Sequence, residues 1–237
     1  MFTNIPEPEK TNYIEIIQNL GGTVSDEKTF DLTATHLILR NPIKNEKLLS
    51  SIASGKWILH PDYLKESEVQ KRFLPEIDFE WGGPGTCKYM QNIAPNSEKL
   101  AKCPIRWRKK LNGNKDMFGA FHNWKVVVFA EDKAKLSTYT KILEAGGAEI
   151  VPTSDADSAL DTISHVFVDV KKKNGCKVDL TSFVSHNIKC LKPEYLAFYL
   201  TEDPLPDVDS FILAEAKELM DASASSSKRH AMSSATR

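Results

Sequence analysis

Six histidines, at positions 36, 60, 122, 165, 186 and 230, and four cysteines, Cys87, Cys103, Cys176 and Cys190, are the side chains best suited here to nucleophilic or metal chemistry. Their spacing argues against both uses. There is no C-x-x-C pair and no histidine at zinc-finger spacing, so no structural zinc is expected and the thiols read as reduced, as in cytosol or nucleus. The histidines are scattered, and no local spacing assembles a nucleophile with a base and an orienting group. Nucleotide chemistry would need a glycine-rich turn after a strand, and neither G-x-G-x-x-G nor G-x-x-x-x-G-K-[ST] appears. Gly21-Gly22 and Gly146-Gly147 instead follow apolar helical stretches, where glycine ends a helix. No enzymatic activity, no metal and no cofactor are expected. His36 and His165 each stand just before a buried strand and read as structural. What remains is cationic: from Lys99 to Lys115 the chain carries seven Lys or Arg and no acid, with Lys102, Arg106, Arg108, Lys109 and Lys110 at its centre. Such a run suits a secondary contact to phosphates, acidic peptide or DNA, or it is the solvated face of a helix anchored by Trp107.

The frame that must position these residues is repeated. The 237 residues, 41% hydrophobic and 27% charged, suffice for two ordinary domains, each with its own core. The net charge of −1 gives no whole-molecule attraction to nucleic acid or membrane. No apolar run reaches the roughly 18 residues of a spanning helix, and the N-terminal residues lack the basic flank and apolar core of a signal peptide, so neither membrane nor secretion is expected. In the first copy, Glu7-Pro8-Glu9 starts a helix, Tyr13, Ile16, Ile17 and Leu20 line one face, and Gly21-Gly22 ends it. Leu37-Ile38-Leu39 reads as a strand buried on both faces. A short helix over about Asn45 to Ala53, a strand at Trp57-Ile58-Leu59 and a helix from about Pro61 come next. The second copy repeats the order: strand Trp124 to Phe129, helix Lys133 to Ala145, strands near Ile150 and over His165 to Val168, a short helix from Leu180 to Ser185 and a helix from Pro193 to Leu200. Strands alternating with helices require parallel crossovers, so the fold class is α/β: two modules, each a small parallel sheet of about four strands flanked by helices, joined by a helical linker.

Gly-Gly after the first helix, a Thr/Ser-His strand, and Trp57 followed six residues later by Tyr63 resemble the breast-cancer-protein C-terminal (BRCT) repeat, and the two copies cover nearly the whole chain. The resemblance divides it into a first repeat over 1–82, a linker with a basic helix over 83–118, a second repeat over 119–203, a helix over 204–221 and a Ser/Ala-rich disordered tail over 222–237. It implies that the first repeat holds phosphoserine or phosphothreonine through a hydroxyl at the end of its first strand, the backbone N–H that follows, and a lysine at the start of its second helix. In this sequence those positions are Thr3, Asn4 and Lys47, with Lys10 and Lys44 where related repeats carry further cations. The chemistry is consistent with them, since a phosphate dianion needs several converging donors and helix starts supply unpaired N–H groups. In the second repeat Lys189 replaces the expected tryptophan, which marks this repeat as a reader of flanking residues, with Lys133 and Lys135 as candidates to line the peptide groove.

The expected partners are therefore phosphorylated checkpoint or repair proteins, for example a repair helicase or a checkpoint kinase partner, with a weak DNA contact as a secondary feature and no membrane. A phosphate-independent protein scaffold or a DNA-end-binding module is the alternative. A nuclear location follows from the resemblance, because Lys228-Arg229-His230 is too short a basic run to establish it.

Overall fold

Contacts along the chain of the computed structural model, which describes residues 1–91, 93–169 and 177–223, separate into two compact units. The first holds Met1–His122 with Lys141–Gly147 and Leu200–Asp203; the second holds Asn123–Thr140, Ala148–Tyr199 and the chain from Pro204 on.

In the first unit, α1 (Glu9–Asn19) buries Tyr13 and Ile16, and Ile17 and Leu20 pack beside them. Gly21 follows the C-cap at φ +81°, a left-handed turn that a side chain would resist. The chain then enters β1 (His36–Ile38), crosses through α2 (Glu46–Ala53) and returns as β2 (Trp57–Leu59). The two strands pair in parallel, His36 opposite Trp57 and Ile38 opposite Leu59. Leu37, Ile38 and Leu39 are all buried, as a strand covered on both faces requires. α3 (Asp62–Gln70) closes the repeat with Tyr63 and Leu64 in the shared core of Phe2, Tyr13 and Leu59.

Residues 1–3 run alongside β1. Met1 N donates to the His36 carbonyl at 2.9 Å, Ile38 N to the Met1 carbonyl at 2.9 Å, and Thr3 N to the Ile38 carbonyl at 3.2 Å. This is the alternation of a parallel ladder, and Phe2 forms the bridge to Ile38. Regular pairing in this unit is narrower than the four strands expected. Thr23–Ser25, which come after the glycine pair, carry no ladder among the described residues because no strand lies beside them.

The far edge of β2 is tied to the segment that ends the repeat. Glu80 bridges Leu59 in antiparallel fashion, and the fully buried Trp81 donates its indole N–H to the Leu39 carbonyl at 3.1 Å. After the short α4 (Cys87–Met90), α5 (Pro95–Asn112) lays Arg108 over this edge. The Arg108 Nε and Nη2 each donate to an oxygen of the fully buried Glu80 carboxylate at 2.6 Å, and the guanidinium lies 3.7 Å from the centre of the Trp57 ring. Planar, two-pronged pairing of this kind satisfies a carboxylate out of water; deleting one partner would strand a buried charge at a cost of about 3–5 kcal/mol.

The second repeat reads β3 (Lys125–Phe129), α6 (Lys133–Ala145), β4 (Glu149–Ile150), β5 (His165–Val168), α7 (Thr181–Ser185), β6 (Lys189–Leu191) and α8 (Glu194–Thr201). Its sheet is four-stranded and all parallel in the order β4-β3-β5-β6. Val126, Val127, Val166, Phe167 and Leu191 are fully buried along it. The helix expected over 204–221 begins later. Pro204 and Pro206 hold the chain out of helix, Val208–Phe211 make a 3₁₀ turn capped by Asp207, and Ile212 bridges Leu191. Residues 214–223 are helical, and the remainder of the Ser/Ala-rich run lies outside the described residues.

His165 stacks on Trp124 with ring centroids 4.0 Å apart. Burial, aided by the Lys189 charge, pushes its pKa down from 6.5 to about 4. The folded protein therefore favours the neutral ring: the stability this contributes is complete above the unfolded value of 6.5 and is lost as the pH falls through about 4. Urea unfolding midpoints should fall more for the wild-type chain than for His165→Phe when the pH is lowered across that window. Parallel slopes for the two proteins would show that His165 does not titrate on unfolding.

Candidate functional site

The N-terminus of α2 is built around Asn45. Its backbone is extended, and its side-chain oxygen accepts the Leu48 N–H at 2.9 Å, which caps the helix. The other end of the same amide donates to Thr3 Oγ1 at 2.9 Å. Asn45 thus satisfies an acceptor position on the Thr3 hydroxyl and leaves its proton for another acceptor. Two residues along α2, Lys47 Nζ donates to the Glu27 carbonyl at 2.7 Å and the Phe2 carbonyl at 3.3 Å. Thr3 and Lys47 are therefore brought together from both sides, through Asn45 on the helix and Phe2 on the first strand. An ammonium has three protons, so this half-buried lysine keeps one for a ligand. Its pKa is lowered first by burial and then by the Lys10 charge, both of which an approaching dianion would offset.

Asn4 completes the group. It turns the chain out of the ladder at φ +53°, a left-handed conformation that asparagine tolerates, and its side-chain amide donates to the Asn41 carbonyl at 3.1 Å. Among the described residues its backbone N–H meets no acceptor. Lys10 lies on α1, partly exposed and 3.8 Å from Glu7, and Lys44 is exposed in the loop just ahead of Asn45.

Glu9, Glu7 and Glu46 near this cluster each have hydrogen-bonding partners outside it, Glu46 accepting the Phe30 N–H at 2.8 Å. Glu9 accepts from the Tyr13 hydroxyl at 2.7 Å and from Arg40, which together hold its carboxyl below the ordinary carboxylate range, the tyrosine contributing most. Glu7 accepts from the Thr11 hydroxyl at 2.9 Å.

The linker patch is largely paired within the first unit. Lys102 bonds Glu98 at 2.6 Å, and Arg106 reaches the Leu200 carbonyl at 2.8 Å and Asp203 at 3.4 Å. Lys110 lies over the Trp107 ring, and Lys109 is exposed. Arg108 does not belong to a solvent-facing patch, because its guanidinium is consumed by Glu80 and Trp57. Trp107 is the buried anchor of this helix. In the second repeat, Lys133 opens α6 exposed, and Lys135 Nζ stands 2.8 Å from Asp169. Among the described residues no group of His, Cys, Asp and Glu is arranged to hold a metal ion, and no helix is long and apolar enough to cross a membrane.

Asn45 is the residue that sequence reasoning left out. Its signal was present: an N-cap amino acid directly before an apolar helical run is a helix start. That signal accounts for the helix alone, and the second bond of the amide depends on residues 42 positions away.

Comparison with known proteins matches the BRCA1 C Terminus (BRCT) domain to residues 1–68 and the TopBP1/SLF1 BRCT domain to residues 118–210. The human SMC5-SMC6 complex localization factor protein 1 is 31% identical over 164 residues, 69% of this chain and 15% of that protein. The BRCT domain-containing protein At4g02110 of Arabidopsis thaliana is 26% identical over 200 residues, 82% of this chain and 14% of that protein. The chain thus spans about 15% of the length of such relatives. Among solved structures, the BRCT5-BRCT6 domains of S. pombe Brc1 superpose with a TM-score of 0.57 at 13% identity, covering 90% of this chain and 96% of that one.

Replacing Asn45 should separate its two bonds. Asn45→Ala loses the cap and should lower the unfolding free energy by about 1 kcal/mol. Asn45→Asp keeps the capping oxygen at a helix N-terminus, where its charge is favoured, and should retain most of the stability in urea titrations. Equal destabilisation by both would mean that the cap is not what Asn45 supplies.

Proposed function

Because the chain belongs to the BRCT family as a tandem pair of its domains, we propose that it is a non-catalytic scaffold segment whose first repeat holds a phosphorylated serine or threonine of a partner protein. The observation that supports this reading is that three donors lie beside one helix start: the Thr3 hydroxyl bonded by Asn45, the Asn4 backbone N–H, and the Lys47 ammonium. Each answers a different part of a phosphate group. Lys47 offsets its charge, the α2 N-terminus adds the positive end of a dipole, and the two neutral donors fix its orientation. Lys10 and Lys44 raise the local positive potential around the entrance. Glu9, next to Lys10 in sequence, is directed to Arg40 and Tyr13.

The proposed partners are proteins of DNA-damage and replication-checkpoint signalling, and the location proposed with them is the nucleus. The relative named as a localization factor for the SMC5-SMC6 complex supports a scaffold role. Lys133 and Lys135 are the peptide contacts proposed for the second repeat. Pairing across the linker helix leaves too few available cations for DNA to be the principal ligand.

Fluorescence anisotropy with a phosphothreonine peptide library and its unphosphorylated twin tests the reading. Binding should require the phosphate, and Lys47→Ala should weaken it by about tenfold to a hundredfold, the loss of one charge-assisted hydrogen bond of roughly 1.5–3 kcal/mol. Equal binding of both peptides would establish a phosphate-independent scaffold instead.

A further inference from the structure

Two lysines of the chain follow an isoleucine, leucine, valine, methionine or phenylalanine and precede an acid by two residues: Lys44 in Ile43-Lys44-Asn45-Glu46, and Lys192 in Leu191-Lys192-Pro193-Glu194. The fold exposes both lysines but treats the apolar residue before them in opposite ways. Leu191 is fully buried in β6, whereas Ile43 is 41% exposed. We infer that Lys44 is an acceptor for covalent attachment of a small ubiquitin-like modifier, delivered by a conjugating enzyme whose surface reads an apolar residue, lysine, any residue and an acid.

Such a surface has to hold three side chains at once: the apolar one in a groove, the lysine against the reactive thioester and the acid against a cation. The groove is reached only by a side chain that lies outside the protein's own core, and the backbone beside the lysine must be clear of a sheet ladder. In the first unit Pro42–Lys44 belong to no helix or strand, the buried Pro42 anchors the loop, and the backbone at Asn45 is extended at φ −145° and ψ 172°. Glu46, the first residue of α2, gives one carboxylate oxygen to the Phe30 N–H at 2.8 Å, which leaves its second oxygen for a cation of the enzyme. In the second unit the same pattern is withdrawn. Leu191 pairs with Phe167 of β5 and bridges Ile212 on its other side, so its side chain reaches an enzyme groove only if β6 leaves the sheet.

The reaction is an acyl transfer. The deprotonated Lys44 Nζ attacks the thioester carbonyl that joins the C-terminal glycine of the modifier to the enzyme cysteine; the isopeptide C–N bond forms, the C–S bond breaks, and the proton lost by the amine ends on the departing thiol. No oxidant or reductant is involved. An exposed loop lysine suits this chemistry, because its long stem carries the nitrogen to the thioester without moving the helix behind it.

The test incubates the 237-residue chain with the activating enzyme, the conjugating enzyme, the modifier and ATP, without a ligase, and locates the isopeptide bond by mass spectrometry. A single conjugate at Lys44 is expected. Lys44→Arg should abolish it, and Glu46→Gln, which keeps an acceptor for the Phe30 N–H, should slow its formation by about tenfold through loss of one charge-assisted contact. No conjugate, a conjugate that survives Lys44→Arg, an undiminished rate in Glu46→Gln, or modification of Lys192 as fast as that of Lys44 would each overturn the inference. Lys44 also stands at the entrance of the proposed phosphate site, but the readout is the conjugate itself and involves no phosphopeptide.

Discussion

Every part of the candidate site hangs on the three hydrogen bonds that run residues 1–3 alongside β1. They place Thr3 where Asn45 can reach its hydroxyl, set the Phe2 carbonyl under Lys47, and release the chain at Asn4 with its N–H unspent. The same ladder buries Phe2 among Tyr13, Ile16, Ile38 and Leu59, so the hydrophobic core and the polar cluster share one backbone segment. A parallel pairing gains little by itself; here it is held by apolar contacts on one side and by the α2 cap on the other. The site is thus a consequence of packing.

Charge is distributed by the same logic. The chain is nearly neutral, yet its cations have different fates. Arg108 is buried and neutralised by Glu80, which fastens α5 to the edge of β2. Arg40 is bound to Glu9, and Lys102 and Arg106 to acids near them. Lys47 is held by two carbonyl oxygens, which orient an ammonium without cancelling its charge. Its lowered pKa records the cost of being partly buried beside Lys10. A phosphate dianion is a ligand that offsets that cost.

Much of the frame was legible from local signals. The helix from Lys133 to Ala145 and the strand from His165 to Val168 occupy the residues that periodicity and a short apolar run assign to them. Leu37-Ile38-Leu39 is buried on both faces as its continuous apolarity implies. What local signals do not carry is long-range exchange of partners. The run from Lys99 to Lys115 reads as a cationic surface because Glu80, Glu202 and Asp203 are distant in sequence. Asn45 reads as a cap because Thr3 is likewise distant. Among the described residues Thr23–Ser25 carry no ladder, because a strand is made by its neighbour as much as by its own residues.

The location of phosphate binding is tested most directly by titrating a phosphothreonine peptide into ¹⁵N-labelled chain and following amide shifts. The largest should be a downfield move of the Asn4 N–H, accompanied by Thr3 and the Asn45 side-chain amide, and absent with the unphosphorylated peptide. Shifts confined to the second repeat, or equal shifts from both peptides, would contradict a phosphate site at the start of α2.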